Sequence, residues 1–341
     1  MIILGIETSC DETSAAIINN GKLISNIVLS QEIHLQFGGV VPEFASREHE
    51  NQISYIVSKS ISSANILITD LDAIAVTYGA GLMGALLVGL NYAKGLAIGL
   101  NITFLGVNHM EGHLYANFID NPEFDYPFLC LLVSGGHTQI WEVNSFGNYE
   151  LIGNTVDDAA GEAFDKGARI LGLSYPGGPE IEKIAKDGNK NAFKFTIPRV
   201  KSSIYNFSFS GLKTALLYTC QKLTDSELKE QKSNLASSFQ EVIIDTLLDK
   251  LKKAIILTGH SRIAVAGGVA ANKRFRDKAD VLSKNNGLEI YFPKMQFCTD
   301  NAAMIAMAGY QRLKMGEVSN LNLKAKPNLY LNSKGEDQVA S

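Results

Sequence analysis

Two stretches of the chain repeat one pattern of apolar and polar positions. The first thirty residues begin with the β-branched apolar run IILGIE, pass through the polar turn ETSCDET and return as SAAIINNGKLI. After residue 127 the order recurs as FLCLLV, SGGHT and QIWEVNSFGNYELI. Short apolar runs joined by glycine-containing turns are typical of antiparallel strands. The pattern therefore predicts two strand meanders related by an internal duplication.

Helical and strand patterns alternate after each meander. Apolar residues at helical spacing predict helices over residues 47–64, 82–100, 228–257, 271–282 and 301–313. The runs AIAVT, ITFLGV and IAVAG predict buried strands between them. This alternation is typical of the α/β class. By fold-level analogy, two such halves predict a two-lobed, duplicated actin-like (ASKHA, ribonuclease H-like) ATPase fold with an interlobe cleft.

The expected boundaries follow from the duplication. The N-terminal lobe is predicted to span residues 1–110, completed by a C-terminal helix at about 300–320, and the second lobe to span 111–300. Residues 321–341 are predicted as an extended tail, because the sequence becomes polar there. The most apolar run, Leu82–Leu100, contains four glycines, an asparagine and a lysine, which favours a buried helix over a membrane span.

Composition narrows the function classes. Apolar residues make up 46% of the chain and charged residues 19%, which is ordinary for a soluble globular protein. The formal charge of -4 means that any contact with nucleic acid needs a local basic patch or a partner. Cys10, Cys130, Cys220 and Cys298 lack metal-site or redox spacing and are interpreted as thiols of a reducing compartment. With no signal-like N-terminus, a cytoplasmic protein is expected.

The segment HMEGH places His109 and His113 four residues apart. On a helix these residues share a face, so both imidazoles can reach one metal ion. A chance pair is the alternative. Met110 stands where a zinc protease of the H-E-x-x-H type carries its glutamate, which argues against metalloprotease chemistry. In the later segment CTDN, Thr299 or Asp300 is either the N-cap of the last long helix or, for Asp300, the third ligand of a His, His, Asp set.

Several glycine-rich turns are candidate nucleotide contacts. Ser134–Gly136 lies between two predicted strands, where consecutive backbone amides can bind an anion; an ordinary hairpin turn is the alternative. The segment AGGVAAN, ending at Asn272, joins a strand to a helix. The facing turn of the first meander carries Asp11 and Glu12. Asp165 lies in the acidic helical segment that follows the second meander. It either binds a ribose hydroxyl or forms an ion pair with Lys166 or Arg169.

Taken together, the motifs resemble the bacterial TsaD family of tRNA adenosine threonylcarbamoyltransferases. The motifs stand in the family's order from about residue 2 to residue 315, and they are GIETSCDETSAAI, GGVVPEFASREH, GALLVGL, HMEGH, LLVSGGHTQI, DDAAGEAFDKGARILGL with YPGGP, FSFSGLKTA, VAGGVAANKRFR and CTDNAAMIA.

The resemblance implies a set of functional residues. It implies one divalent metal, usually iron(II) with zinc as the alternative, held by His109, His113 and Asp300. The implied substrate and nucleotide contacts are Leu132, Val133, Ser134, Gly135, Gly136, Asp165, Gly178, Glu182 and Asn272. Many relatives have Asp where this chain has Glu182.

The implied reaction moves a threonylcarbamoyl group from threonylcarbamoyl-AMP to the exocyclic amine of the adenosine 3' of the anticodon, in tRNAs reading A-starting codons. The products are N6-threonylcarbamoyladenosine and AMP. Asp11 or Glu12 is the candidate for orienting groups or accepting a proton. The implied partners are tRNA, an actin-like paralogue (TsaB-like), a small ATPase (TsaE-like) and a separate synthase that makes the adenylate, with no membrane involved. The candidate basic segments for tRNA are 199–201 and 273–278.

Two alternative functions share the expected fold. A small-molecule kinase needs a catalytic acid and no metal-binding histidines, and a non-catalytic scaffold is expected to lack the histidine pair. His109 and His113 count against both. An old label for this family, a glycoprotein-cleaving metalloprotease, is opposed by the missing glutamate next to the first histidine.

Overall fold

The computed structural model describes residues 1–121, 123–198 and 200–331. Its strands are β1 (Ile2–Glu7), β2 (Glu12–Asn19), β3 (Lys22–Ser30), β4 (Ala73–Gly79), β5 (Thr103–Asn108), β6 (Phe128–Val133), β7 (Thr138–Ser145), β8 (Asn148–Asn154), β9 (Arg262–Ala266) and β10 (Glu289–Tyr291). Its α-helices are α1 (Pro42–Ser63), α2 (Met83–Leu100), α3 (His109–Tyr115), α4 (Ala160–Ile170), α5 (Gly177–Ala185), α6 (Ser210–Gln221), α7 (Asp225–Thr258), α8 (Lys273–Asn286) and α9 (Ala302–Lys314).

The two five-stranded sheets follow the same plan. The first has the order β3-β2-β1-β4-β5 and the second the order β10-β9-β6-β7-β8. In each, the meander strands pair antiparallel, and the first meander strand then pairs with a parallel strand on its other side. The two predicted meanders and the α/β class are confirmed.

The chain divides into two compact units. Unit 1 comprises Met1–Phe124 and the described part of Pro293–Ser341, and unit 2 comprises Asp125–Phe292. The divisions thus fall after residues 124 and 292, whereas the sequence predicted them after 110 and 300. The described part of the predicted tail, residues 321–331, belongs to unit 1.

Local sequence explains the ends of several elements. Asn20 and Gly21 have φ angles of 48° and 80°, the left-handed conformation that a tight β2–β3 hairpin requires. Helix α7 begins with a capping box of Thr224 and Glu227 and ends at Gly259, whose φ is 73°. The predicted helix at 47–64 begins earlier, at Pro42, because proline is compatible with the first helical turn.

Helices α5 and α6 lie outside the segments predicted to be helical. Helix α5 starts within the segment YPGGP, and α6 starts within FSFSGLKTA and continues to Gln221. Helix α4 begins at Ala160, so Asp157 and Asp158 precede it. The carboxylate of Asp157 accepts hydrogen bonds from the backbone N–H groups of Phe209 and Ser210, at 2.7 and 3.2 Å, and so caps α6.

Helix α2 is the apolar run that was weighed as a membrane span. By length and composition it is the one described helix that would suffice to cross a membrane, with a mean hydropathy of 1.4. A core helix of a globular protein passes the same criterion. One face of α2 carries the buried residues Ala85, Leu86, Gly89, Leu90, Ala93 and Ala97. Helix α2 packs within the core of unit 1 together with β1, β4 and α1.

Candidate functional site

Helix α3 positions both histidines of the HMEGH segment. Asn108, the last residue of β5, caps this helix by accepting a hydrogen bond from the Met110 N–H at 2.8 Å. Every residue of α3 is buried. The rings of His109 and His113 lie edge to face with centroids 4.8 Å apart, so one turn of helix brings both imidazoles to the same place.

Asp300 joins the two histidines from the start of α9. The N-cap of α9 is Asn301, whose side chain accepts a hydrogen bond from the Met304 N–H at 3.2 Å. The cap is therefore neither Thr299 nor Asp300, and the carboxylate of Asp300 is left to face the two histidines. Oδ1 of Asp300 lies 3.1 Å from Nε2 of His113 and 3.4 Å from Nε2 of His109.

This donor set fits a divalent metal ion. One ligand atom from each of His109, His113 and Asp300 lies within 4.8 Å of the others. Two imidazole nitrogens and a carboxylate oxygen are ligands for zinc and for iron(II), and three protein ligands leave open positions for substrate. All three side chains belong to unit 1, so a single folded unit holds the complete set.

Charge is concentrated at this set. Burial lowers the pKa of His109, but the carboxylates of Asp300 and Glu7 raise it more, and the net pKa lies well above the usual value. Burial raises the pKa of Asp300, but the nearby His109 lowers it by more, so the net pKa lies below its usual value. Without a metal, the two groups form an imidazolium–carboxylate pair. Metal binding would then release the proton, which makes the affinity pH-dependent.

Sequence reasoning missed Glu7, which borders this set. Its side chain is fully buried, and its Oε2 lies 3.2 Å from Nδ1 of His109. The only sequence signal was an acidic residue at the end of an otherwise apolar strand, IILGIE. Strand β1 pairs parallel with β4, and β4 with β5, so the carboxyl ends of all three strands meet where Glu7 and His109 lie.

Of the candidate catalytic residues, Asp11 lies in the turn between β1 and β2, and Glu12 is the first residue of β2. Desolvation, the Asp300 carboxylate and Asp11 all raise the pKa of Glu12 well above its usual value. The buried imidazole of His49 supports this turn from α1. Its Nε2 lies 3.0 Å from the Cys10 carbonyl oxygen, and its Nδ1 lies 2.8 Å from the Thr13 hydroxyl. Since a carbonyl only accepts, Nε2 donates and Nδ1 accepts from Thr13.

Glu111, the central acid of HMEGH, has a different role from a protease base. Its two carboxylate oxygens accept hydrogen bonds from Nε and a terminal nitrogen of Arg312, at 2.6 and 2.9 Å. Arg312 also contacts Glu317. Glu111 is fully buried, and this bidentate pair ties α3 to the C-terminal end of α9. The helix that carries the histidines is therefore fixed to the helix that follows Asp300.

In unit 2, the turn Ser134–Gly136, predicted to bind a nucleotide, contacts the start of α4 and the segment after β9. The Ser134 carbonyl accepts a hydrogen bond from the Gly161 N–H at 3.2 Å, just after the start of α4. A Cβ at Gly135 or Gly136 would meet nothing within 4 Å, so this turn is open. By contrast, a Cβ at Gly267 would lie 2.4 Å from the Val133 carbonyl oxygen, which explains a glycine in AGGVAAN. Leu132 and Val133 are buried in β6.

Of the remaining predicted residues of unit 2, three make hydrogen bonds within the protein and Gly178 is open. Asp165 accepts a hydrogen bond from the Gly177 N–H at 2.7 Å and so holds the start of α5, whereas a Cβ at Gly178 would meet only open space. Glu182 accepts from the Lys273 N–H at 3.0 Å. Asn272 caps α8 by accepting from the Phe275 N–H, and it donates to Gln240 at 2.8 Å.

Several side chains of the basic segments proposed for tRNA make contacts within unit 2. Arg199 lies outside the described residues. In 273–278, Arg274 and Lys278 both pair with Glu241 of α7, and Arg276 donates to the Ala270 carbonyl at 2.7 Å. Two of the four basic side chains in 273–278 are thus paired with an acid within unit 2.

The sequence matches a known protein family over most of its length. The family model described as "TsaD: tRNA N6-adenosine threonylcarbamoyltransferase" matches residues 22–307. A tRNA N6-adenosine threonylcarbamoyltransferase of Thermosipho africanus is 53% identical over 330 residues, covering 96% of this chain and 99% of the relative. The protein of the same name from Caldicellulosiruptor saccharolyticus is 49% identical over 338 residues, covering 98% and 100%.

Solved structures of low sequence identity share the fold. Component A of (R)-2-hydroxyglutaryl-CoA dehydratase from Acidaminococcus fermentans matches with a TM-score of 0.56 at 14% identity, covering 92% of this chain and 99% of that protein. HypF of T. kodakarensis matches with a TM-score of 0.64 at 14% identity, covering 92% and 48%. These likenesses confirm the predicted actin-like fold class.

Proposed function

Because this chain belongs to the tRNA N6-adenosine threonylcarbamoyltransferase (TsaD) family, we propose that it transfers a threonylcarbamoyl group to the exocyclic amine of an adenosine in tRNA. The proposed donor is threonylcarbamoyl-AMP. The proposed acceptor is the adenosine 3' of the anticodon in tRNAs reading A-starting codons. The amine nitrogen bonds to the carbamoyl carbon, the bond from that carbon to the phosphate oxygen breaks, and AMP leaves with the bonding electrons.

The convergence of His109, His113 and Asp300 carries this proposal, because neither a kinase nor a scaffold of this fold needs such a set. In the proposed enzyme these side chains hold one divalent metal, with iron(II) preferred and zinc as the alternative. Two histidines and one carboxylate with open positions are typical of non-haem iron(II) sites. When bound, the metal supplies a Lewis acid that polarises donor oxygens where negative charge develops.

The proton of the attacking amine needs an acceptor near this set, and we assign that role to Glu12. Its raised pKa brings the carboxyl closer to the range in which a general base works at neutral pH. Asp11, which also raises that pKa, is the neighbouring group that orients Glu12 or shares its proton.

Residues of unit 2 are proposed to bind the AMP part of the donor. The open turn Ser134–Gly136 offers consecutive backbone amides for a phosphate, while Leu132 and Val133 of β6 hold that turn in place. The second group consists of Asp165, Gly178, Glu182 and Asn272. Asp165 and Glu182 each accept a backbone hydrogen bond, which holds their carboxylates in defined positions.

The proposed partners follow from the reaction and the charge. With a formal charge of -4, and with Arg274 and Lys278 of α8 paired with Glu241, this chain offers little electrostatic attraction for tRNA. Helper proteins would supply it, and we propose a TsaB-like actin-fold paralogue, a TsaE-like small ATPase and a separate synthase for the adenylate. Cys10, Cys130, Cys220 and Cys298 are thiols and not disulfides, which favours a cytoplasmic location.

The full chain tests this function in a reconstituted reaction. It is mixed with threonylcarbamoyl-AMP, substrate tRNA and the helper proteins, and modified adenosine is measured by mass spectrometry. We expect His109→Ala, His113→Ala and Asp300→Ala each to lose bound metal and transfer activity. The matched control is His260→Ala, since His260 belongs to unit 2 and pairs there with Glu142 at 2.6 Å, whereas the donor set belongs to unit 1. Full transfer by a metal-free His109→Ala protein would contradict the assigned site.

A further inference from the structure

Glu7 is a buried carboxylate next to His109 but outside the set of three proposed metal ligands. It is the last residue of β1, and its side chain has 0% exposure. A carboxylate so far from water is destabilised unless it is paired and hydrogen-bonded. The hydrogen-bond partners of Glu7 therefore indicate what it does.

Those partners occupy both carboxylate oxygens. Oε1 accepts a hydrogen bond from the Ser9 N–H at 2.5 Å, and Oε2 accepts one from the Thr77 hydroxyl at 2.6 Å. Oε2 also lies 3.2 Å from Nδ1 of His109. A carboxylate that already accepts a hydrogen bond on each oxygen is an acceptor toward Nδ1 of His109 as well. In this arrangement Nδ1 is the donor of the contact and carries the proton.

We propose that Glu7 is a positioning residue that fixes His109 in the tautomer with Nδ1 protonated and Nε2 available to the metal. The inference rests on the metal site proposed above. Nε2 is the nitrogen that lies 3.4 Å from Asp300, on the side shared with His113. Outer carboxylates that orient a ligand histidine also raise its basicity and the metal affinity. His113 differs, since its buried Nδ1 has no hydrogen-bond partner among the described residues.

Ser9 and Thr77 both contact Glu7, and the hydroxyl of each can be removed by its own substitution. The Ser9 hydroxyl also lies near Nδ1 of His109, at 3.1 Å, and is a second candidate for orienting the ring. The Thr77 hydroxyl joins β4 to β1 through Glu7, which is a purely structural contact. Ser9→Ala removes the first contact, and Thr77→Val removes the second while leaving Glu7 and His109 in place.

The first experiment measures Zn²⁺ affinity of the full chain by competition with a chromophoric chelator, alongside urea unfolding of the metal-free proteins. We expect Glu7→Gln to bind Zn²⁺ about 10- to 100-fold more weakly than the wild type, the range typical for loss of an outer-shell partner. Thr77→Val and Ser9→Ala should bind Zn²⁺ nearly as well as the wild type, even where they lower stability. Wild-type affinity in Glu7→Gln, or an equal loss of affinity in Thr77→Val, would overturn the inference.

A second measurement needs no Glu7 variant and covers the case in which Glu7→Gln does not fold. Imidazole ¹⁵N spectra of the zinc-loaded wild type, with His109 assigned by comparison with His109→Ala, should show zinc on Nε2 and a proton on Nδ1. Zinc on Nδ1 would refute the role of Glu7. Absence of zinc binding by the wild type would instead overturn the metal site itself, and the role of Glu7 with it.

Discussion

At the scale of single residues, some glycines of unit 1 stand where there is no room for a side chain. A Cβ at Gly5, in the middle of β1, would lie 2.5 Å from the Ala302 carbonyl oxygen and 2.7 Å from the Ala306 Cβ. The backbone of β1 thus packs directly on α9, the helix that Asp300 precedes. By contrast, a Cβ at Gly95 on α2 would meet nothing within 4 Å. The two positions are glycine for different physical reasons, so substitution by alanine should affect stability differently at each.

We expect Gly5→Ala to lower the free energy of unfolding by about 1–3 kcal/mol, because the added methyl group forces β1 and α9 apart. Gly95→Ala should be neutral or stabilising by up to about 1 kcal/mol, since alanine is the better helix former. Urea unfolding followed by circular dichroism compares the two. Equal effects of the two substitutions would show that the contact with α9 does not limit this position.

At the scale of elements, pairs of helices are joined by buried charge. In unit 2, Glu241 on α7 accepts hydrogen bonds from Arg274 and Lys278 of α8, and its side chain is 13% exposed. Burial raises the pKa of Glu241, but these two bases lower it more, to about 2. The carboxylate thus stabilises the α7–α8 pair as long as it is ionised. In unit 1, the Glu111–Arg312 pair joins α3 to α9 in the same way.

The depressed pKa of Glu241 makes the stability of unit 2 pH-dependent with a defined sign. Its contribution is complete above the unfolded-state pKa of 4.5 and is lost as pH falls through about 2. We expect Glu241→Gln to be less stable than the wild type by roughly 2–3 kcal/mol at pH 6, from the size of the shift. The difference should shrink as the pH is lowered below 4.5, as measured by urea unfolding at a series of pH values. A constant difference from pH 6 to pH 2.5 would contradict this assignment.

At the scale of the whole molecule, the chain returns to unit 1 after it has built unit 2. The segment after α9 runs along β5 and the end of β4. The Ser319 N–H donates to the Phe104 carbonyl at 2.9 Å, and the Lys326 N–H donates to the Tyr78 carbonyl at 2.7 Å. Nδ2 of Asn108, the cap of α3, donates to the Tyr330 carbonyl at 3.3 Å. This C-terminal segment therefore covers an edge of the first sheet and contacts the residue before His109.

We expect a chain that ends at Gly316 to keep unit 2 intact and to loosen unit 1. Amides of β4 and β5 should exchange with deuterium faster, because the removed segment protects the edge of their sheet. Trp141, the single tryptophan, is buried in β7 of unit 2, and its fluorescence transition should remain near that of the full chain. Faster exchange spread equally over both units would contradict a role confined to unit 1.

The sequence by itself determined the class of elements and the family. Alternating apolar runs and glycine turns predicted both meanders, since strand side chains have a period of two and hairpins require left-handed residues. The HMEGH spacing predicted one face for His109 and His113, because helical neighbours four apart are set by local geometry alone. These features depend on neighbours along the chain and are therefore readable from it.

Only the tertiary structure decided which distant residues meet. Asp300 is separated from His113 by 187 positions, and packing brings the two side chains into contact while Asn301 caps α9. The contact between Glu7 and His109 could not be predicted from the sequence, since it depends on the pairing of β1 with β4 and of β4 with β5. Burial and long-range contacts are properties of the packed fold, and they also set the charge of each group, because desolvation and nearby charges act through space and not along the chain.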